Sequence, residues 1–321
     1  MHRRFANRLL MGLAASLALV AASAHADMAP WEKALYEAAK KEQPITVYTA
    51  HYDTETAQNL CLGFEKKYPG LKCNFVRVTA ADDVQAAGAA VFLRVSGVRR
   101  VFVLDDGTDY GATLAKAFVH AAEMSGAEVL GRGRWEPGAR DYALLAKRVK
   151  ATGVDGVYLA GAFRIGSSLL VDLRRALGPA PVLLGSDGFQ IVFKDLGNLG
   201  REVDGLYVTA LGVPLARLGP AGRGFVEALT ERIGRSPELF SVETAAAAEV
   251  MLDAIARSRG TRASVTEALL ATRLDAAILG PVAFTASGDV RRRAVTIHRI
   301  TGGHVRVADV VEPPTRLLAG G

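Results

Sequence analysis

Apolar positions recur along this chain with two alternating periods. Short runs rich in β-branched residues at 45–49, 71–78, 99–104, 127–130, 156–160, 182–184 and 205–209 read as strands. Between them, apolar residues spaced three and four apart read as amphipathic helices. These cover 30–41, where Trp31, Leu35, Tyr36 and Ala39 share a stripe, then 56–68, 84–95, 110–125, 142–152 and 165–177. Pro69-Gly70 stops the second helix, and Asp82-Asp83 suit the first turn of the third, where the helix dipole favours carboxylates. R-G-R-W-E-P-G at 132–138 reads as an irregular turn. Strands and helices alternate over short links, which predicts a parallel α/β sheet with right-handed crossovers and helices on both faces.

Three of the strand runs finish in small and acidic residues: D-D-G-T-D-Y-G (105–111), A-G-A-F (160–163) and G-S-D-G (185–188). Ligands of open parallel sheets bind beyond the carboxyl ends of the strands. Residues 105–110, 161–163 and 185–187 are therefore expected along one edge, facing one crevice. Past 205 the pattern changes. A Pro/Gly-rich passage at 212–224 leads to helical patterns at 225–233, 241–257 and 264–272. The second of these is expected to bury Val242, Ala245, Ala246, Val250 and Ile255 on one stripe. Two strands, 282–285 and 293–300, joined by S-G-D at 287–289, are expected to close the fold.

With 321 residues, half of them hydrophobic, the chain can bury one large core or two modest ones. The formal charge of +6 is gathered at His2, Arg3, Arg4 and Arg8 and at Arg291, Arg292 and Arg293. No basic helix interleaved with aromatics appears, which argues against a nucleic-acid partner. Residues 1–26 read as a secretory signal peptide: basic residues, the apolar run 9–20, then A-H-A before Asp27. The apolar run is short for a membrane span. Export permits a disulfide, and Cys61 and Cys73 are the only cysteines, so they are expected to be bridged.

The chemistry legible from residues alone is that of binding. Asp187 stands at a strand's carboxyl end between glycines that let a ligand approach the backbone. Such a carboxylate pairs with a cation through charge-assisted hydrogen bonds, or else serves its own loop as an Asx turn. Tyr110 either lines the crevice or packs against the first turn of its helix. Phe163, after Gly161 and Ala162, and Phe240 are candidate aromatic walls. Asp105 and Asp106 read as a turn and cap pair. The alternative of a phosphoacceptor pocket needs a further aspartate and a lysine on later strand ends. His51, Tyr52, Asp53 and Glu55 have metal-ligand chemistry, but one loop cannot close a coordination sphere. They read as a solvated helix entry, and no metal or cofactor is expected. No G-x-S-x-G, H-E-x-x-H or phosphate-cradling loop is present, and no nucleophile–base pair is legible, so an enzyme is not expected.

From about Asp82 onward the chain resembles the branched-chain amino-acid-binding proteins of ABC importers, the type I periplasmic binding fold. The resemblance is carried by V-F-V-L-D-D-G-T-D-Y-G (101–111), V-Y-L-A-G-A-F (157–163), L-L-G-S-D-G (183–188), D-G-L-Y-V-T (204–209) and L-G-P-V-A-F-T-A-S-G-D (279–289). It implies two lobes joined by three crossovers, closing on an amino acid or similar small polar solute. It also implies that Asp187 holds the ligand's ammonium group, that Tyr110 lines the cleft, and that Phe163 stands where the family often has tyrosine. Residues 82–206 would be most of the second lobe, 207–280 a partial first lobe, and 281–321 the return to the second lobe with a tail.

The start departs from that pattern. The family's first lobe should precede Asp82 with several βα units, yet only 28–77 stand there. P-I-T-V-Y-T-A-H-Y-D-T-E-T-A (44–57) and F-E-K-K-Y-P-G (64–70) instead resemble the opening of ferric-iron-binding periplasmic proteins, a type II binding fold. The chain thus reads as a chimera with its seam near 78–83. Residues 27–81 are expected to form a βαβ fragment, and the first lobe to be incomplete. The expected function is that of a monomeric periplasmic solute-binding protein serving an inner-membrane ABC permease. The ligand would be a branched-chain or other amino acid or a small polar solute, bound weakly or not at all because one wall is reduced. A ligand-sensing module for a membrane receptor and a non-functional fusion remnant are the other readings.

Overall fold

The computed structural model describes residues 28–318, except 43, 49–53, 77–78, 137, 140, 163–166, 195, 200–202 and 238–239. The predicted signal peptide lies outside the described residues, as do Phe163 and the His51, Tyr52, Asp53 loop.

The larger unit is a seven-stranded sheet. Its strands are β3 (Arg100–Asp105), β4 (Glu128–Arg134), β5 (Gly156–Ala160), β6 (Val182–Gly185), β7 (Leu206–Leu211), β10 (Val295–Thr301) and β11 (His304–Val311). They lie in the order β11-β10-β7-β6-β5-β3-β4. The five from β7 to β4 are parallel, and β10 pairs antiparallel to both β7 and β11. Side chains alternate between two buried faces, as expected of a parallel sheet covered on both sides. Val101, Val103, Tyr158 and Ala160 face the helices Asp82–Val95 and Asp109–Met124. Phe102, Leu104, Val157 and Leu159 face Ala143–Ala151 and Ser167–Leu177. Helix Asp82–Val95 carries Ala86, Ala87, Ala89 and Ala90 around Gly88, and a Cβ added at Gly88 would sit 2.8 Å from the Val295 side chain, so small residues set how closely it lies on β10.

The smaller body has two two-stranded sheets. β1 (Ile45–Tyr48) and β2 (Cys73–Val76) are parallel, while β8 (Arg273–Ala277) and β9 (Gly280–Ala283) are antiparallel. Helices Pro30–Ala39, Thr54–Lys67, Pro220–Ile233, Ser241–Arg257 and Arg262–Leu270 accompany them. Cys61 and Cys73 form a disulfide with Cα atoms 5.0 Å apart. Thr46 Oγ1 meets Thr266 Oγ1 at 2.7 Å and Glu42 pairs with Arg262 at 2.8 Å, which ties β1 and the turn before it to helix Arg262–Leu270.

Several expectations need correction. Residues 132–134 are strand, not turn: β4 runs to Arg134, paired with Asp105. Gly133 of that expected turn is there for packing, since a Cβ on it would lie 3.1 Å from the Leu104 side chain, as a Cβ on the preceding Gly131 would lie 2.6 Å from the Phe102 ring. The helix read at 225–233 begins at Pro220, whose fixed φ suits a first helical turn. The two closing strands do not pair as one hairpin. β9 pairs with β8, a single bridge between Phe284 and Val290 closes the S-G-D turn, and β10 pairs with β7 and β11. The crossovers move accordingly. β7 stays in the large sheet through Leu211, and Gly280–Ala283 stays in the smaller body, so the chain returns to the large sheet at Val295.

Candidate functional site

In the large sheet β3 is the first strand, β4 lies on one side of it and β5 on the other. The order therefore reverses between β3 and β5, the switch point where an open α/β sheet leaves a crevice at its strand ends. Asp106 spans that point. Its Oδ2 accepts from the Ala162 N–H at 2.9 Å, and its Oδ1 accepts from Thr108 N at 3.1 Å and Thr108 Oγ1 at 2.6 Å. Thr108 caps helix Asp109–Met124 by accepting from Gly111 N at 3.0 Å. Gly161 has φ +146°, and a Cβ there would strike Asp106 at 2.4 Å, so this crossing requires glycine. Asp105 accepts from Gly107 N at 2.9 Å and pairs with Arg134 at 3.2 Å. Asp105 and Asp106 are thus structural groups that shape the strand ends.

The β6 end is laid against them. Ser186 is fully buried; its hydroxyl donates to Gly161 O at 2.6 Å and accepts from Gly161 N at 3.2 Å. Gly188 lies so close that a Cβ would meet Gly161 O at 2.4 Å. These contacts bring Asp187 and Tyr110 together, and the Tyr110 hydroxyl donates to Asp187 Oδ1. Burial, then the charge of Asp187, then the nearby Tyr158, hold the Tyr110 phenol protonated well above the ordinary tyrosine range. Among the described residues Asp187 is half-buried and has no ion-pair partner.

A sequence profile described as "Periplasmic binding protein" matches residues 18–304. This chain belongs to the periplasmic binding protein family. The Leu/Ile/Val-binding protein BraC3 of Rhizobium johnstonii is 26% identical over 241 residues, covering 74% of this chain and 64% of that protein. The Leu/Ile/Val-binding protein of Escherichia coli K12 is also 26% identical, over 67% of this chain and 58% of its own length. The chain thus spans less than two thirds of these curated relatives. A leucine-binding protein of Thermotoga maritima superposes with a TM-score of 0.69 at 22% identity, covering 84% of this chain and 80% of that one, which shows the shared fold. A substrate-binding protein of Desulfitobacterium hafniense in complex with Leu gives 0.65 at 18% identity, covering 85% and 83%.

In this periplasmic binding protein the predicted residues Asp187, Tyr110, Gly161 and Ala162 lie at one edge of the large sheet. Phe240 belongs to the smaller body, in the turn before helix Ser241–Arg257. Its φ of +64° is the only positive φ on a non-glycine among the described residues. A left-handed backbone on a bulky residue is strained, and such strain gathers at ligand clamps and switch regions. Sequence reasoning missed Gln85, Tyr158 and Thr209. Gln85 Oε1 accepts from Asp187 N and Thr209 Oγ1, both at 3.2 Å. The available signal was a glutamine on an otherwise apolar, alanine-rich helix face. Among the described residues no helix is long and apolar enough to cross a membrane, and no group of three or more His, Cys, Asp or Glu side chains is placed to hold a metal.

Proposed function

We propose that this chain is an exported solute-binding protein that recognises an amino acid or similar small solute through its ammonium group and serves an inner-membrane ABC permease as a monomer. The observation that carries the reading is Asp187. It is a half-buried carboxylate at the switch-point crevice, oriented by a neutral hydroxyl and paired with no cation among the described residues. A carboxylate held by neutral donors keeps its charge for a ligand cation, and charge-assisted hydrogen bonds in a partly dry cleft are strong. Curated relatives named for Leu, Ile and Val support the same ligand class. Phe240, on the smaller body, would form the opposite wall.

The smaller body is also where we place the weakness of the site. The resembled family's first lobe supplies hydroxyls and amides for the ligand's carboxylate, and here the stretch before Asp82 is only a short βαβ fragment. The splice near 78–83 belongs to the same proposal; sequencing through that junction in independent reads tests it. Binding is expected to be weaker than about micromolar.

Titration of the mature protein with leucine, valine, polar amino acids and their desamino analogues decides the reading. The amino acid should bind better than the desamino acid. Asp187→Asn should cost the amino acid about tenfold to a hundredfold in affinity while leaving the desamino analogue nearly unchanged. Equal affinity for both ligands in the wild type would refute an ammonium site at Asp187.

A further inference from the structure

Behind the Asp187 loop lies a group of buried polar side chains whose bonding capacity is only partly used. Gln85 has no solvent exposure. Its Oε1 receives the Asp187 N–H, and that contact identifies the oxygen end of the amide, because a backbone N–H needs an acceptor. Nε2 then points away with two hydrogens and meets no acceptor among the described residues, although the atom is buried. Tyr158, in the central strand β5, is also fully buried, and its hydroxyl has no partner among the described residues. Tyr158 pairs with Leu184 of β6, three residues before Asp187, and its side chain packs on the layer of helix Asp82–Val95, which carries Gln85. Burial, then the charges of Asp187 and Asp82, raise its phenol well above the ordinary tyrosine range.

Buried donors without partners are rare in folded proteins, because each bears the full cost of its desolvation. A leucine and a phenylalanine would fill the same two positions without that cost. Two unspent polar groups beside a carboxylate are, by contrast, the surroundings in which proteins hold an internal water. Tyr110 occupies Oδ1 of Asp187, and no other side chain is bonded to that carboxylate among the described residues.

We propose that Gln85 and Tyr158 are positioning residues for Asp187. Together they hold one buried water, which accepts from Gln85 Nε2 and from the Tyr158 hydroxyl and donates to the Asp187 carboxylate. Gln85 thereby fixes the loop twice, its oxygen on the backbone and its nitrogen through the water. Tyr110 and the water orient the carboxylate from two directions with neutral donors only. The functional meaning of this arrangement rests on the reading of Asp187 as the ammonium acceptor; the arrangement itself does not.

The test is a double-mutant cycle on thermal stability and amide exchange, which needs no ligand. Tyr158→Phe should lower the melting temperature and speed exchange of the Asp187 amide by about threefold to tenfold, and both effects should vanish in an Asp187→Asn background. Gln85→Leu should speed the same exchange. Gln85→Glu restores the acceptor for the backbone but not the donor, so it should restore slow exchange while leaving Tyr158 uncoupled from Asp187. A higher melting temperature for Tyr158→Phe, or effects that simply add to those of Asp187→Asn, would overturn the proposal. Where the wild type binds, each variant should also narrow the preference for an amino acid over its desamino analogue. A wild type without that preference removes the ammonium reading, and the cycle still decides the role of Gln85 and Tyr158.

Discussion

The two bodies of this protein are stabilised in different ways. The large sheet is buried on both faces, and Leu104, Leu114, Phe118, Tyr158, Leu159, Leu173 and Leu184 are almost wholly removed from water. The smaller body gathers its core around Val250, Ala254, Leu269, Ala277, Val282 and Phe284, and leaves Trp31, Leu35, Leu60, Leu62, Leu252 and Ile255 exposed. Its elements from Pro30 to Val76 are held by the Cys61–Cys73 disulfide, the Glu42–Arg262 pair and the Thr46–Thr266 contact. Hydrophobic burial organises one body, and a cross-link with a few polar contacts helps hold the other. The crevice residues Asp106, Tyr110, Gly161, Ser186 and Asp187 all stand on the well-buried body. A binding surface can be fixed on that side whatever the state of the smaller one.

The contrast can be broken from either side, and the largest effect should come from the large sheet. Leu104 is fully buried between Phe102's helix layer and neighbouring strands, so Leu104→Ala should cost about 2–5 kcal/mol of unfolding free energy. That loss should appear as faster exchange throughout β3, β5 and β6. Next comes the disulfide. Reducing it, or replacing both cysteines by alanine, should cost about 3 kcal/mol by the loop-entropy estimate for a loop of this size. Exchange and proteolysis should increase in residues before 80, with the large sheet's protection unchanged. A loss of protection spread evenly over both bodies would mean that they unfold as one unit, and the contrast would fail.

Much of the large sheet was readable because each central strand is an uninterrupted apolar run ending in Gly, Ser or Asp. The runs at 99–104, 156–160 and 182–184 became β3, β5 and β6 nearly unchanged. β4 was misread because Gly131 and Gly133 leave room for Phe102 and Leu104, and such a packing requirement lies on another strand. β11 went unread although four of its eight residues are valine, and most of the strand is exposed. Asp187, Tyr110 and Gly161 were legible from their places at strand ends. Gln85 and Tyr158 were not, since the loop that Gln85 bonds lies 102 residues away and the Tyr158 hydroxyl has no partner among the described residues. Local pattern reports the periodicity of an element; it does not report which polar group another element will bury beside it.

Acid should narrow the difference between the two bodies, because burial shifts His298 in the large sheet and Glu243 in the smaller body with opposite consequences for stability. Burial lowers the pKa of His298 in β10, so below its ordinary value of 6.5 the unfolded chain binds a proton that the folded chain resists. The large sheet therefore loses stability as pH falls below about 6.5. Burial raises the pKa of Glu243 in the first turn of helix Ser241–Arg257, so above its ordinary 4.5 the folded chain takes up a proton more readily than the unfolded one. The smaller body gains as pH falls toward that range. Amide exchange at neutral pH and near pH 5 checks both signs. His298→Phe should abolish the loss in β10, and Glu243→Gln should remove the gain that Glu243 brings to the smaller body.

The smallest effect should come from the apolar face that the smaller body leaves uncovered. Trp31 and Leu35 are one helical turn apart, 67% and 62% exposed, on the outer side of helix Pro30–Ala39. Side chains already in water have little burial to lose, so Trp31→Lys and Leu35→Glu should change stability by less than about 0.5 kcal/mol. They should leave sedimentation at high concentration unchanged as well. A larger loss, or a shift in sedimentation, would show that something covers this face in solution. A second copy of the chain would then be completing the smaller body, and the difference between the two bodies would belong to the isolated chain alone.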